Sequence, residues 1–303
     1  MLAIVCPGQG SQSPGFLSPW LARPGMTARL EWLSAVAGLD LVEHGTVSDA
    51  DTIKDTAVAQ PLLVAAGLMA LDALGGVPSG TVVAGHSVGE VTAAAATGVL
   101  SAEQAMVFVR ERGKGMAAAS AVTPTGMAAV LGGDAQQVAE ALKRHGLTAA
   151  NDNGGGQVVA AGTAAQLEAL QADPPARARV IPLQVAGAFH THHMAPAVAT
   201  LQRYAQALAP ADPATTLLSN RDGAAVADGS EVLARLVSQV SSPVRWDLCT
   251  ATMKELGVTA LVELPPAGTL AGLAKRALPG VELLALKTPD DLAAAQRLIS
   301  THA

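Results

Sequence analysis

Gly85-His86-Ser87-Val88-Gly89 constrains this chain more than any other stretch. Strand formers, Thr81-Val82-Val83-Ala84, stand before it, and mostly strong helix formers follow from Glu90 through Ala96. A Gly-x-Ser-x-Gly pentapeptide between a strand and a helix is a nucleophile elbow. Its glycines allow a turn sharp enough to lift the serine hydroxyl above the sheet edge. The amides that open the following helix lack intrahelical partners and point at whatever the serine attacks. One turn is thus expected to supply a nucleophile and part of an oxyanion hole.

Strand-like and helix-like runs alternate along most of the chain, which implies an α/β fold with a largely parallel sheet. Strands are expected at 2–5, 81–84, 216–218, 259–264 and 281–286, and helices at 57–74, 88–96, 102–119, 195–208, 230–240 and 246–256. Hydrophobic residues make up 50 % of the 303 positions but aromatics only 2 %, a balance that suits helices packed on buried strands. The middle has another rhythm: a strand at 127–131, a helix capped by Asp134, strands at 147–151 and 157–161, a helix capped by Thr163, and a strand at 179–185. That order, βαββαβ, is ferredoxin-like. Residues 123–186 therefore read as a small subdomain inserted into a discontinuous large domain of residues 1–122 and 187–303, with Pro124 and Gly187 as junctions.

A net charge of −6 argues against a general nucleic-acid binder, which needs a basic face. Cys6 and Cys249 are too few for a disulfide framework and match no metal spacing, so both read as buried free thiols. The N-terminus lacks a basic leader, and the longest apolar stretch, residues 61–71, is too short to span a bilayer. The expectation is a cytoplasmic protein without membrane attachment.

An activated serine needs a base. Among seven histidines, His190 is the best placed, in Gly187-Ala188-Phe189-His190, where the chain leaves the insert and function tends to gather. His86 is a rival, but neighbours at an elbow point apart, so it is expected to line the pocket. His190, His192 and His193 have no carboxylate or cysteine at ligand spacing, so no metal is expected. Asp134, Asp152 and Asp173 lie between serine and histidine, yet all fall in capping or loop positions. A Ser-His dyad is therefore expected rather than a triad. In Pro7-Gly8-Gln9-Gly10 the Gln9 amide is able to complete an oxyanion hole, though most such loops are only turns. Arg112 reads either as an arginine paired with Glu111 or Glu103 or as a bidentate clamp on a carboxylate.

Taken together, the chain resembles the malonyl-CoA:acyl carrier protein transacylases of fatty-acid and polyketide synthesis. The stretches that carry the resemblance are Pro7-Gly8-Gln9-Gly10-Ser11-Gln12, Asp55-Thr56 through Gln60-Pro61, Gly85-His86-Ser87-Val88-Gly89-Glu90, Arg112-Gly113-Lys114, Gly187-Ala188-Phe189-His190, and Gln239 with Ser242-Pro243-Val244-Arg245-Trp246. They span nearly the whole chain in the family's order. The resemblance implies a hydrolase-like α/β core with an inserted ferredoxin-like subdomain. It implies Ser87 as nucleophile, His190 as base, and the main-chain carbonyl of Gln239 as the group orienting His190. The amides of Gln9 and Val88 become the oxyanion hole, Arg112 the partner of the malonyl carboxylate, and Phe189 a marker of malonyl over methylmalonyl. The implied reaction is ping-pong transfer through a malonyl-serine, without metal or redox cofactor. Implied partners are malonyl-CoA and an acidic, phosphopantetheine-bearing acyl carrier protein. The implied state is a discrete monomer acting in trans.

One stretch departs from the family: Leu264-Pro265-Pro266-Ala267-Gly268 stands where Gly-Pro-Gly is common. Lys275 and Arg276, or Lys114 and Arg177, are candidates for the carrier's docking patch. A thioesterase or esterase would need an acidic triad member and no carboxylate clamp. A catalytically silent binding module would lack the serine, histidine or arginine.

Overall fold

The computed structural model describes residues 1–303. Ten strands form two sheets: β1 (Leu2–Cys6), β2 (Val82–Gly85), β3 (Thr125–Gly132), β4 (Thr148–Asp152), β5 (Gln157–Thr163), β6 (Ala178–Pro182), β7 (Thr216–Leu217), β8 (Val244–Arg245), β9 (Ala260–Glu263) and β10 (Glu282–Ala285). The first sheet has the order β10-β9-β1-β2-β7 and all its neighbours are parallel. β1 and β2 are buried along their whole length, which explains why they read as unbroken apolar runs instead of alternating ones.

Apart from Gln60, the helix Thr56–Leu74 is apolar on every side from Ala57 to Leu71, and its face against the helix Ala102–Ser120 is part of the main core. At 19 residues it is longer than the apolar stretch 61–71 suggests and would suffice to cross a membrane, but 72 % of its apolar window is buried inside the molecule. Four helices not expected from the sequence, Ser18–Leu21, Met26–Ala37, Leu41–Thr46 and Ala50–Lys54, wrap the N-terminal half. Two more, Thr269–Ala277 and Leu292–His302, flank β10.

The second sheet has the order β6-β3-β5-β4-β8. β3 pairs antiparallel with β5 and β6, and β4 antiparallel with β5. The helices Ala135–Arg144 and Ala164–Ala172 sit between β3 and β4 and between β5 and β6. Val130, Val138, Ala141, Leu142, Leu147, Ala160 and Leu170 give this part a small core of its own. One strand comes from outside residues 123–186: β8 pairs parallel with β4 and covers an edge that would otherwise be unpaired. The sheet is thus completed by the later chain and joined to it.

Candidate active site

The elbow opens at the carboxyl end of β2, where open parallel sheets place their ligands. Both of its glycines are demanded by contact. A Cβ on Gly85 would lie 2.0 Å from the carbonyl carbon of Gly89, and one on Gly89 would lie 2.1 Å from the Cys6 oxygen. Ser87 itself has φ 53°, a left-handed conformation that costs a non-glycine residue energy and is kept only where the surroundings enforce it. Here Asn220 enforces it, since its Oδ1 accepts the Ser87 N–H at 2.8 Å and its Nδ2 donates to the Gly85 carbonyl at 2.7 Å.

The Ser87 hydroxyl lies 2.7 Å from His190 Nε2. His190 Nδ1 lies 2.8 Å from the main-chain oxygen of Gln239, which can only accept. The proton is therefore on Nδ1, and the Nε2 lone pair faces the serine. His190 is 3 % exposed, and burial first, then the positive charge of Arg112, pushes its pKa down to about 3. It is neutral, as a proton acceptor has to be. Asp134 caps the helix Ala135–Arg144, Asp152 accepts the Gly154 N–H, and Asp173 pairs with Arg144. No aspartate completes a triad; the carbonyl of Gln239 occupies that place.

Arg112 is 0 % exposed. The two local pairings that the sequence offered are absent: Glu111 is bound to Arg110 at 2.6 Å, and Glu103 to Trp32 Nε1 at 3.2 Å. Arg112 instead donates to Gln60 Oε1 at 2.7 Å and Gln239 Oε1 at 2.8 Å, and its Nη2 lies 3.4 Å from Ser87 Oγ. Its Nε has no partner, and no carboxylate lies in ion-pair reach of the guanidinium. Burial lowers its pKa to about 10, partly opposed by Glu90, so it stays charged. A buried cation without a counter-ion, beside a serine hydroxyl, is suited to an anionic substrate group.

Neither the Gln9 nor the Val88 N–H has a hydrogen-bond partner within the chain. The Gln9 side chain is tied down by Nε2 bonds to the Lys54 carbonyl at 3.2 Å and Thr56 Oγ1 at 3.3 Å. His86 Nε2 is 2.9 Å from Asn153 Oδ1, and its ring stands edge-on to Trp246 with centroids 5.6 Å apart. Desolvation lowers its pKa, with Asn153 opposing. A cleft of about 230 Å³ runs between the two sheets; Gln9, Gln60, His86, Ser87, Phe189 and His190 line it. His192 and His193 stack on each other at 4.1 Å, and no cluster of metal-ligating side chains occurs. Arg276 reaches Gln157, a cleft-lining residue, at 3.3 Å, whereas Lys114 and Arg177 line no part of the cleft.

Three further residues were not singled out by the sequence for a role: Gln60, Asn220 and Glu90. Asn220 had a readable signal, a polar residue just past a main-sheet strand, where functional side chains collect. Glu90 is masked by its position in a helix first turn, where a glutamate is ordinary.

A family model described as an acyl transferase domain matches residues 3–288. The chain is 53 % identical over 296 residues to the malonyl CoA-acyl carrier protein transacylase of Mycobacterium tuberculosis, covering 96 % of this chain and 98 % of the relative. It is similar to the crystal structure of MCAT from the same organism, with a TM-score of 0.95 at 51 % identity over 98 % of this chain and 99 % of that one. A malonyl-transacylase in complex with its type II PKS acyl carrier protein is also similar, with a TM-score of 0.90, 30 % identity, and coverage of 98 % and 99 %.

Proposed function

Because the chain belongs to the acyl transferase family, we propose that it moves a malonyl group from malonyl-CoA to the phosphopantetheine thiol of an acyl carrier protein. The observation that carries this reading is the meeting of three groups at one oxygen: Ser87 Oγ lies 2.7 Å from His190 Nε2 and 3.4 Å from Arg112 Nη2. A nucleophile, its base and a cation for the substrate's far carboxylate thus lie within one acyl group of each other.

Ser87 Oγ attacks the thioester carbonyl as His190 Nε2 takes its proton. The oxyanion is held by the Gln9 and Val88 amides. The Ser87 N–H, occupied by Asn220, takes no part. The C–S bond breaks, His190 returns the proton to the departing CoA sulfur, and malonyl-Ser87 remains. The carrier's thiol then runs the same steps in reverse. Arg112 pairs with the malonyl carboxylate throughout, and the Phe189 ring crowds a branched acyl group, a discrimination of about 1–3 kcal/mol. The proton and acyl balance closes without a metal or redox cofactor. Residues 123–186, read as a ferredoxin-like subdomain, form one wall of the cleft through Met127, Asn151, Asn153, Gln157 and Val159. Arg276, bonded to the cleft-lining Gln157, and its neighbour Lys275 suit an acidic carrier. The protein is taken to act as a cytoplasmic monomer feeding fatty-acid or polyketide assembly.

Intact mass spectrometry after incubation with malonyl-, methylmalonyl- and acetyl-CoA tests this. A lasting malonyl adduct on wild type, absent from Ser87→Ala and passed to added holo carrier protein, is expected. Rapid hydrolysis with no lasting adduct would favour a thioesterase, and no reaction with any acyl-CoA would overturn the transfer reading.

A further inference from the structure

Below the elbow lies a buried polar network that the reaction above does not use. Glu90, in the first turn of the helix Gly89–Ala96, is 6 % exposed, and no cation lies within ion-pair reach of its carboxyl. Its Oε1 accepts the Asn220 N–H at 2.5 Å, and its Oε2 accepts from Gln239 Nε2. Gln239 Nε2 also donates to the Ser87 carbonyl at 3.0 Å, leaving Oε1 for Arg112 Nη2 at 2.8 Å.

The order of donors and acceptors in this network is directional. A carboxylate only accepts and a guanidinium only donates, while a primary amide has one end of each kind. With Glu90 on one side and Arg112 on the other, the Gln239 amide fits in a single orientation. Turned around, it would set donor against donor at Arg112 and acceptor against acceptor at Glu90, and each buried mismatch is costly. The same carboxyl fixes the backbone of Asn220, whose side chain holds both the Ser87 N–H and the Gly85 carbonyl.

We propose that Glu90 is a positioning residue for the carboxylate clamp, orienting Arg112 through the Gln239 amide. This rests on the malonyl-transfer reading. Glu90 touches neither substrate nor reacting atoms. Its effect is selective: only an acyl group with a carboxylate uses the guanidinium that Gln239 holds. Burial pushes the Glu90 carboxyl up to about 7 against its Asn220 and Gln239 donors, so the loading rates are compared at about pH 8, where Glu90 is a carboxylate.

The test is the rate of Ser87 acylation by malonyl-CoA and by acetyl-CoA, read by rapid-quench intact mass for wild type, Glu90→Gln, Gln239→Met and the double variant. Glu90→Gln places an amide N–H₂ within reach of the Gln239 N–H₂. The malonyl-to-acetyl ratio is expected to fall about tenfold, the loss of one oriented charge-assisted bond, while acetyl loading stays within about threefold of wild type. Gln239→Met keeps the main-chain carbonyl on His190 but removes the amide, and the same fall in ratio is expected. The double variant falls no further than either single one, because both act through one contact. An unchanged ratio in either folded variant overturns the proposal, and so does an equal loss of malonyl and acetyl loading, which would make Glu90 a packing residue. Where Glu90→Gln does not fold, Glu90→Met, which removes the acceptor from Gln239 Nε2 without adding a donor, takes its place under the same two outcomes. A wild-type enzyme that loads malonyl with preference while the variants keep that preference refutes only the coupling. A wild type that loads neither acyl group refutes the transfer reading, and this proposal with it.

Discussion

Replacing Arg112 by methionine removes a charge that the fold holds at a cost. Burial lowers the guanidinium pKa from 12.5 to about 10, a penalty of about 3 kcal/mol on the charged form at neutral pH. Methionine has similar reach and no such penalty. Against this gain stand the lost bonds to Gln60 Oε1 and Gln239 Oε1 at 2.7 and 2.8 Å. Each buried acceptor left unpaired costs about 1–3 kcal/mol. The two sides cancel to within about 3 kcal/mol, so Arg112→Met is expected to shift Tm by less than about 5 °C, at about 1.6 °C per kcal/mol from an unfolding entropy of about 2.1 cal/mol/K per residue.

Activity should not cancel. A malonyl carboxylate held by two charge-assisted hydrogen bonds of about 1.5–3 kcal/mol each loses about 3–6 kcal/mol. That is a fall of about 10²–10⁴ in the malonyl loading rate constant kcat/KM. Acetyl-CoA has no carboxylate, so its loading is expected to hold or rise, inverting the enzyme's preference. The assay pairs thermal melting with acyl-serine formation by intact mass on both thioesters. Equal loss of malonyl and acetyl loading at an unchanged Tm would refute the reasoning, because the guanidinium would then serve Ser87 and not the carboxylate.

Two more outcomes follow from the same site. His190, held neutral with a pKa near 3 instead of 6.5, contributes stability that is full above pH 6.5 and is lost as pH falls toward 3, whereas Glu90, raised from 4.5 to about 7, contributes stability that is full below 4.5 and is lost as pH rises through 7. Between pH 4.5 and 6.5 they offset each other, so the unfolding free energy of Glu90→Gln from urea titration should fall more steeply with acid than that of wild type, by about 1.4 kcal/mol per pH unit, and parallel profiles would show that the two groups do not titrate this way. Gly89→Ala drives a Cβ to 2.1 Å from the Cys6 carbonyl oxygen; a loss above about 4 kcal/mol and no folded soluble protein are expected, and a variant melting within about 5 °C of wild type would contradict the contact.

What the sequence made legible was what local chain geometry demands. The strands of the main sheet are short apolar runs bounded by turns, and each was placed to within one or two residues at either end. The elbow was readable because glycine on both sides of one residue is a backbone requirement. The helices between Ser18 and Lys54 were missed because they are 4 to 12 residues long and the longest, Met26–Ala37, has its buried residues confined to Leu30, Leu33 and Ala37. β8 was invisible because two residues carry no period, and its partner β4 lies far back in the chain. The same limit hid Asn220, which meets Ser87 across 133 positions. It also hid the side-chain role of Gln239, which meets Arg112 across 127. Sequence neighbours misled for Arg112, since Glu111 turns to Arg110 on the same helix.

The placing of Arg112 near His190 has a consequence for when the base is strong. After burial, the positive charge of Arg112 is the largest influence lowering the His190 pKa. In the proposed reaction the malonyl carboxylate neutralises that charge. The lowering by Arg112 is then withdrawn, and His190 becomes a better proton acceptor at the moment a malonyl thioester is seated. An acetyl thioester brings no charge and leaves His190 a weak base. Selection by the clamp and activation of the nucleophile are thus one electrostatic event. For this reason acetyl loading is expected to hold or rise in Arg112→Met: removing the cation does for His190 what the malonyl carboxylate does in the wild type.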